Sequence, residues 1–257
     1  MEIQLIDQTP RYRYEKIRGD SGDNIAFYTG NEVRTFFLHE GELELNLESK
    51  KGLNNLTLKE GQGFVITPNS RYNISAKSDL FALQSSSYVQ EYPIIEIYDL
   101  GDRKEERILE GHRIITNPKR VNKPWGHELW ISWFRDYHVL KQIGMKAGNM
   151  SSLQLHRRKL ETNYLVEGEA DVIDGYPIDL SMSEEQMKNS VKDVDWKKYT
   201  ERKKAGMYWT SQPGIVHRVI SVTDYLAYET STPELDDVIR LSDISGRTSG
   251  RIISEHK

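Results

Sequence analysis

The sequence contains no cysteine, which excludes disulfides, thiolate metal ligands and a cysteine nucleophile. It also lacks any apolar run that approaches a membrane span. The opening stretch, MEIQLIDQTPRYRYEK, has no apolar core behind a basic start, so it does not read as a secretory signal. Excess charge is scarce too, with a formal net charge of −4 over 257 residues. That balance argues against a general nucleic-acid binder or an anionic-membrane binder, and leaves room for a local basic pocket. The expectation is a soluble, cytoplasmic protein with a small-molecule partner. Apolar content is only 37%, but 14 Tyr, 6 Phe and 5 Trp compensate, since each aromatic buries a large area. The length suits two domains of ordinary size.

The patterning is that of an all-β protein. Turn signals at Gln8-Thr9-Pro10 and Gly19 to Asp23 punctuate the first thirty residues. VRTFFLHEGELELNLES then reads as strand, Glu40-Gly41 turn and alternating strand, with Leu43, Leu45 and Leu47 on one face. The short strands that follow suit an antiparallel sandwich or barrel. Residues 99–119 are charge-rich and read as a connection, with a short helix over DRKEERILEGH. His39 and His112 are expected at the surface. Ser183-Glu184-Glu185-Gln186 has capping-box spacing, and helix formers follow through Val194. This predicts a helical insertion over 181–203, either a solvated flap or a lid.

The stretch that carries chemistry is GNMSSLQLHRRKLETNYLVEG, from Gly148 to Gly168. Gln154 and His156 are two apart and share a face on a strand. Arg157-Arg158-Lys159 makes a polar reversal before Glu161 opens a second strand. YWTSQPGIVHRVI adds His217 after a Pro-Gly turn. A lone histidine is more often a satisfied core or surface residue, but two imidazoles, a carboxylate and an amide oxygen suit a borderline divalent cation with room for water or substrate.

The spacing Gly148-x5-Gln154-x-His156-x4-Glu161-x6-Gly168 matches the first cupin motif, with Gln in place of its first His. Gly206 through Pro213-Gly214 to His217 resembles the second motif, its proline one place late and Gln212 in the usual position. With Lys123-Pro124-Trp125-Gly126 and Lys141 ahead of it, the Gln-x-His variant resembles the type II phosphomannose isomerase branch, more broadly the phosphohexose isomerase-like cupins. The resemblance covers about residues 121–247.

It implies two cupin jelly-roll barrels in tandem. Residues 1–98 resemble a degenerate cupin in which Gly41 closes the first motif and GQGFVITPNSRYNI stands for the second. Phe27, Thr29, Arg34 and Asn73 occupy its ligand positions, so no metal is expected there and a structural or dimerising role is. Residues 120–257 form the metal-binding cupin. The resemblance implies Gln154, His156, Glu161 and His217 as ligands of one divalent ion, with zinc expected and manganese, iron, nickel or cobalt as alternatives. It places Lys123, Trp125 and a catalytic Lys141 at the cavity; the pattern alone reads Lys141 as exposed. His127 and His138 stand near that cavity. Asp236-Asp237-Val238-Ile239-Arg240 and Asp243 through Gly246-Arg247 resemble the family's closing segment, and the forks of Arg240 and Arg247 suit phosphate. The other reading is that both pair with neighbouring aspartates and pin the tail. Thr162-Asn163 replaces the family's usual His-Trp, which alters the wall beside the metal. The implied activity is aldose–ketose isomerisation of a sugar phosphate or nucleotide-linked sugar. An Fe(II) cupin oxygenase and a non-catalytic sugar-binding bicupin are the competing readings.

Overall fold

A computed structural model describes residues 1–49, 52–89, 95–98, 105–108, 111–250 and 252. The chain divides into two compact units, Met1–Lys119 with Trp130–Leu140, and Arg120–Leu129 with Lys141–Lys257. The first carries β1 (Glu2–Gln8), β2 (Arg13–Gly19), β3 (Asn24–Tyr28), β4 (Glu32–Glu40), β5 (Glu42–Ser49) and β6 (Gly52–Lys59). It continues with β7 (Gly63–Ile66), β8 (Arg71–Ala76), β9 (Leu80–Tyr88), β10 (Ile95–Tyr98), β11 (Glu105–Ile108) and β12 (His112–Ile115). Its two main sheets run β1-β2-β9-β4-β7-β12 and β3-β8-β5-β6. Leu43, Leu45 and Leu47 point inward as their alternation predicts, into a core that includes Phe36, Phe64 and Tyr72. Phe36 and Phe64 stack with ring centroids 5.0 Å apart.

The short helix expected over DRKEERILEGH is not what forms in its described part. Glu105–Ile108 is a strand, paired antiparallel with Ile95–Tyr98. A four-residue run cannot offset helix nucleation, whereas the β-favouring Ile95, Ile97 and Tyr98 offer a ready partner. Residues 99–104 and 109–110 of that segment lie outside the described residues.

The second unit's strands are β13 (Lys119–Lys123), β14 (Gly126–Trp133), β15 (Val139–Met145), β16 (Leu153–Leu155), β17 (Glu161–Glu167) and β18 (Glu169–Pro177). After α1 (Glu184–Ser190) come β19 (Thr200–Lys204), β20 (Tyr208–Ser211), β21 (Ile215–Ser221), β22 (Tyr225–Ser231) and β23 (Ile239–Ser242). The sheets run β13-β14-β15-β22-β17-β20 and β19-β18-β21-β16-β23. The order β2-β9-β4-β7 thus recurs as β15-β22-β17-β20, and β3-β8-β5-β6 as β16-β21-β18-β19. One jelly-roll plan occurs twice.

The facing ends of β14 and β15, residues 130–140, count with the first unit rather than the second. The reason is local bonding. His138 is fully buried, with Nε2 3.0 Å from Thr35 Oγ1 and Nδ1 2.9 Å from Ser87 Oγ, and Ser132 Oγ lies 2.7 Å from Thr35 Oγ1. Phe134 packs with Val33, Val65 and Val89. His138 is therefore a core residue of the first unit. His39 and His112 are half-buried rather than exposed, and His39 sits edge-on against Phe81 at 5.5 Å.

Register aligns the two barrels residue by residue. In each, a bulge follows a Leu–Ala pair, Leu38 with Ala82 and Leu165 with Ala227, and a glycine of positive φ ends the strand. A Cβ on Gly41 would lie 2.2 Å from Asp79 O, and one on Gly168 2.0 Å from Asp224 O, so both turns need glycine. Counting back places Arg34 at the level of Glu161 and Gln84 at that of Glu229, and Glu32 precedes Arg34 by two residues as Lys159 precedes Glu161. Phe27 pairs with Tyr72 as Gln154 pairs with His217. The residue at the level of His217 is thus Tyr72, not the Asn73 expected from the sequence, because Asn73 pairs with Ala26 and belongs to the next rung.

The insertion is more integrated than a flap. Ser183 and Gln186 close the expected capping box, but the helix stops at Ser190. Met187 and Val191 are buried with Leu155, Ile173, Val216 and Leu241. Trp196 and Tyr199 pack against Tyr176 at 5.5 and 5.2 Å, drawing the chain back so that β19 pairs with β18.

Candidate metal centre

His156 follows β16 directly and His217 lies on β21, the strand beside it. The reversal after His156 is held by Asp237, whose carboxylate accepts from the amides of Arg157, Arg158 and Lys159 at 3.2, 2.5 and 3.0 Å. The Asp237 carbonyl accepts a short bond from His156 Nδ1. His217 Nδ1 donates to Ile215 O at 3.1 Å. With both Nδ1 atoms carrying the proton toward carbonyls, both Nε2 lone pairs face inward, the arrangement metal-binding histidines use.

Glu161 stands between them. Its Oε2 is 3.6 Å from His156 Nε2 and its Oε1 is 3.4 Å from His217 Nε2. The imidazoles lie nearly parallel at 5.2 Å. Candidate donor atoms of His156, Glu161 and His217 all fall within 4.8 Å of one another, and all three residues are buried. Burial, reinforced by the Lys159 charge, lowers the His156 pKa to about 3, so the ring is neutral at physiological pH. His156 Nε2 is buried with no hydrogen-bond partner. A buried acceptor left open in this way fits a cation.

Gln154 is at the cluster but turned. Its Nε2 is 3.3 Å from His217 Nε2 while its Oε1 accepts from Ser152 Oγ at 2.6 Å. Half a rotation of the amide exchanges the two atoms and brings the oxygen to the cluster, with Ser152 then accepting.

One residue that sequence reasoning missed is Lys159. Its Nζ sits 2.5 Å from Glu161 Oε2 and 2.8 Å from Glu229 Oε1, with its side chain 5% exposed. Burial disfavours its charge, but the two carboxylates override this and raise its pKa above the ordinary lysine range. Reciprocally, burial pushes Glu161 up while Lys159 and the two histidines pull it well below the carboxylate range. Lys159 was legible in principle, being two residues before Glu161 and able to share its face. Its place in a polar Arg-Arg-Lys run disguised it.

Lys141 is buried but lies further out. Its Nζ is 3.7 Å from Glu229 Oε1 and 4.0 Å from Glu128 Oε2, and Lys123 Nζ is 3.7 Å from the same Glu128 oxygen. Lysine and glutamate therefore alternate from Lys123 through Glu128, Lys141, Glu229 and Lys159 to Glu161. Trp125 is a core residue packed with Ile143, Leu165, Trp209 and Tyr225. The hydroxyls of Tyr225 and Ser231 on β22 are buried without partners. Arg240 Nη1 donates to the carbonyls of Thr248 and Gly250 at 2.5 and 2.7 Å. Arg247 pairs with Asp243 at 2.7 Å. The tail-pinning alternative thus describes Arg247, and Arg240 is held to the same tail through backbone carbonyls. His127 is half-buried against Gly144, and burial lowers its pKa.

Among the described residues, no helix is long and apolar enough to cross a membrane. No protein-family model matches the sequence, and no curated protein sequence does. Solved structures do match in fold. The oxalate decarboxylase of Lactobacillus farciminis in complex with formate aligns with a TM-score of 0.61 and 13% identity, over 90% of this chain and 79% of that one. A tryptophan-to-tyrosine variant of the Bacillus subtilis oxalate decarboxylase aligns with a TM-score of 0.62 and 11% identity, over 90% and 71%. A further Bacillus subtilis oxalate decarboxylase structure, concerned with its Mn(II) centres, gives 0.60, 12%, 90% and 71%. At such identities the likeness is one of fold. By fold, this chain is a bicupin, two cupin jelly-roll barrels in tandem.

Proposed function

We propose that the second barrel binds one divalent metal ion through His156, Glu161 and His217, with Gln154 joining after amide rotation, and uses it as an isomerase. The observation that carries this reading is the pair of Nδ1-anchored imidazoles aimed at one carboxylate, with His156 Nε2 buried and unpartnered. Two imidazoles with carboxylate and amide oxygen suit manganese, iron, cobalt, nickel and zinc alike, so zinc has no special claim. The substrate class is a hydroxylated carbonyl compound, a sugar phosphate or nucleotide-linked sugar.

Isomerisation moves a proton between adjacent carbons, and the metal's contribution is Lewis-acid stabilisation of the oxygen that gains charge. The chain's residues do the rest. Lys159 keeps Glu161 ionised and holds one of its oxygens, leaving Oε1 to face His217 and the cation. Glu229 and Lys141 continue the alternation, so Lys141 acts at one remove as a positioning residue. Arg240 and Arg247, the forks assigned to a phosphate in this reading, each also make bonds within the chain.

Metal analysis of the purified protein, followed by NMR of hexose, heptose and pentose phosphates incubated with it, tests the reading. One metal equivalent and aldose–ketose interconversion support it. Iron with oxygen uptake would instead favour the oxygenase that two histidines and a carboxylate also allow. Tight sugar-phosphate binding without turnover would make the barrel a binding module.

A further inference from the structure

The proposed function needs a group that moves the proton, and the sequence did not show one. The difference between the barrels does. Along β5 and β8 the pairing runs unbroken, Leu45 with Ile74, Asn46 with Asn73 and Leu47 with Tyr72. Along β18 and β21 the matching ladder breaks between Ile173, paired with Arg218, and Tyr176, paired with Val216. The bulge leaves Asp174 at the level of His217, where the first barrel has Leu47. Bulges re-aim side chains and concentrate beside active sites.

Asp174 is tied to the other side of the cluster as well. Its Oδ2 accepts from Ser211 Oγ at 3.2 Å, and Ser211 on β20 stands directly opposite Glu161 on β17. Residues directly opposite in such a pair project to the same face. That bond joins the two sheets of the barrel, so Asp174 is bracketed by His217 on one sheet and the partner of Glu161 on the other. Its Oδ1 accepts from the Gly175 amide at 2.8 Å, and Gly175 has the positive φ (96°) that the bulge requires. The side chain is neither fully buried nor part of the His156–Glu161–His217 cluster. Burial raises its pKa, Glu161 adds to this, and His217 opposes it.

We infer that Asp174 is the acid–base group of the second barrel, facing the open side of the metal centre. This rests on the isomerase reading above. The C2–H bond of the aldose breaks, its proton passes to a carboxylate oxygen of Asp174, and its electron pair forms the C1–C2 double bond while the carbonyl oxygen takes up negative charge. Asp174 then returns the proton to C1, and the C2 hydroxyl proton passes to the C1 oxygen, which leaves the enzyme unchanged.

The test loads the full chain with Co(II) and titrates azide, read from the visible spectrum. Asp174→Asn keeps the shape and removes the charge, and should bind Co(II) at wild-type stoichiometry with azide affinity raised about fivefold, the scale of removing a nearby like charge. Asp174→Leu, which installs the first barrel's residue, should do the same, and Asp171→Asn, further along the same strand, should not. Azide affinity unchanged in both Asp174 variants overturns the inference and leaves the metal centre standing. A wild-type protein that takes up no Co(II) removes both. On a sugar phosphate turned over by the wild type, Asp174→Asn should slow C2–H exchange in deuterated water about a hundredfold or more, with metal content unchanged. Exchange at the wild-type rate overturns the acid–base role.

Discussion

The two barrels place opposite charges at the same two positions. In the first, Arg34 Nη2 sits 2.7 Å from Glu32 Oε2; in the second, Glu161 and Lys159 hold those places in reverse sense at 2.5 Å. Around Arg34 the interior is closed by aromatic packing, with Phe27 and Tyr72 stacked at 4.7 Å and the guanidinium 5.9 Å from the Phe27 ring. The Tyr72 hydroxyl donates to Gln84 Oε1 at 3.1 Å, and Gln84 Nε2 to Glu15 at 2.9 Å. Burial pushes the Tyr72 phenol up to about 12, so it stays a neutral donor. The side chains of Glu32, Arg34, Tyr72, Gln84 and Glu15 thus all have partners within the first barrel. The second barrel turns the carboxylate inward instead, with two imidazoles beside it and a lysine behind. A single scaffold thus takes either a filled polar core or an open donor set, with opposite charges at the level that Arg34 and Glu161 share.

The comparison breaks most visibly at the metal. His156→Ala with His217→Ala should reduce metal content from one equivalent to none, while Arg34→Ala and Tyr72→Ala leave it at one, all read by elemental analysis. Loss in the first-barrel variants would mean the two donor sets are not independent.

Lys159→Met comes next. It leaves Glu161 and Glu229 as neighbouring buried carboxylates without their cation, and breaking such a buried pair costs about 3–5 kcal/mol. Denaturant unfolding of the metal-free protein should show that loss, and added metal should recover part of it by supplying the missing positive charge. Arg34→Met should cost less, since its partner Glu32 is 27% exposed and water can take over. Equal losses would erase the distinction between the two ion pairs.

The closing glycines should behave alike. Gly41→Ala and Gly168→Ala each combine positive φ with a backbone clash, and each should lose about 2 kcal/mol or more. A tolerant Gly41 would mean the first barrel has relaxed its geometry as well as its chemistry. The smallest effect is in pH. Burial holds the His138 pKa at about 3 against an ordinary 6.5, so between those values the unfolded chain binds the extra proton and stability falls as pH falls. Below pH 6.5 the slope approaches about 1.4 kcal/mol per unit. Chemical unfolding of the first unit from pH 7.5 to 5.5 should show it, and His138→Gln should flatten it.

Much of the second barrel was legible in the sequence because its chemistry is local. Gln154, His156 and Glu161 lie within eight residues, and period-two alternation states which of them share a face. The leucines of β5, the capping box at Ser183 and the absence of thiol chemistry were legible for the same reason. The repeat of the barrel was implied by the likeness of the first half to the cupin pattern, yet its register missed by one residue at Asn73 and Tyr72, since a one-place slip changes little in composition.

What the sequence by itself determined is an all-β pattern and the spacing of two histidines, a glutamate and a glutamine, while the likeness to cupins supplied the expectation of two barrels. Tertiary structure alone decided which charged side chains meet that set. Lys159 was hidden in a basic run, Asp174 in a bulge that only cross-strand pairing reveals, and Asp237 in a segment nearly eighty residues away along the chain. The physical reason is that a buried charge is tolerable only beside its partner, and partners are brought together by strand order rather than by sequence spacing.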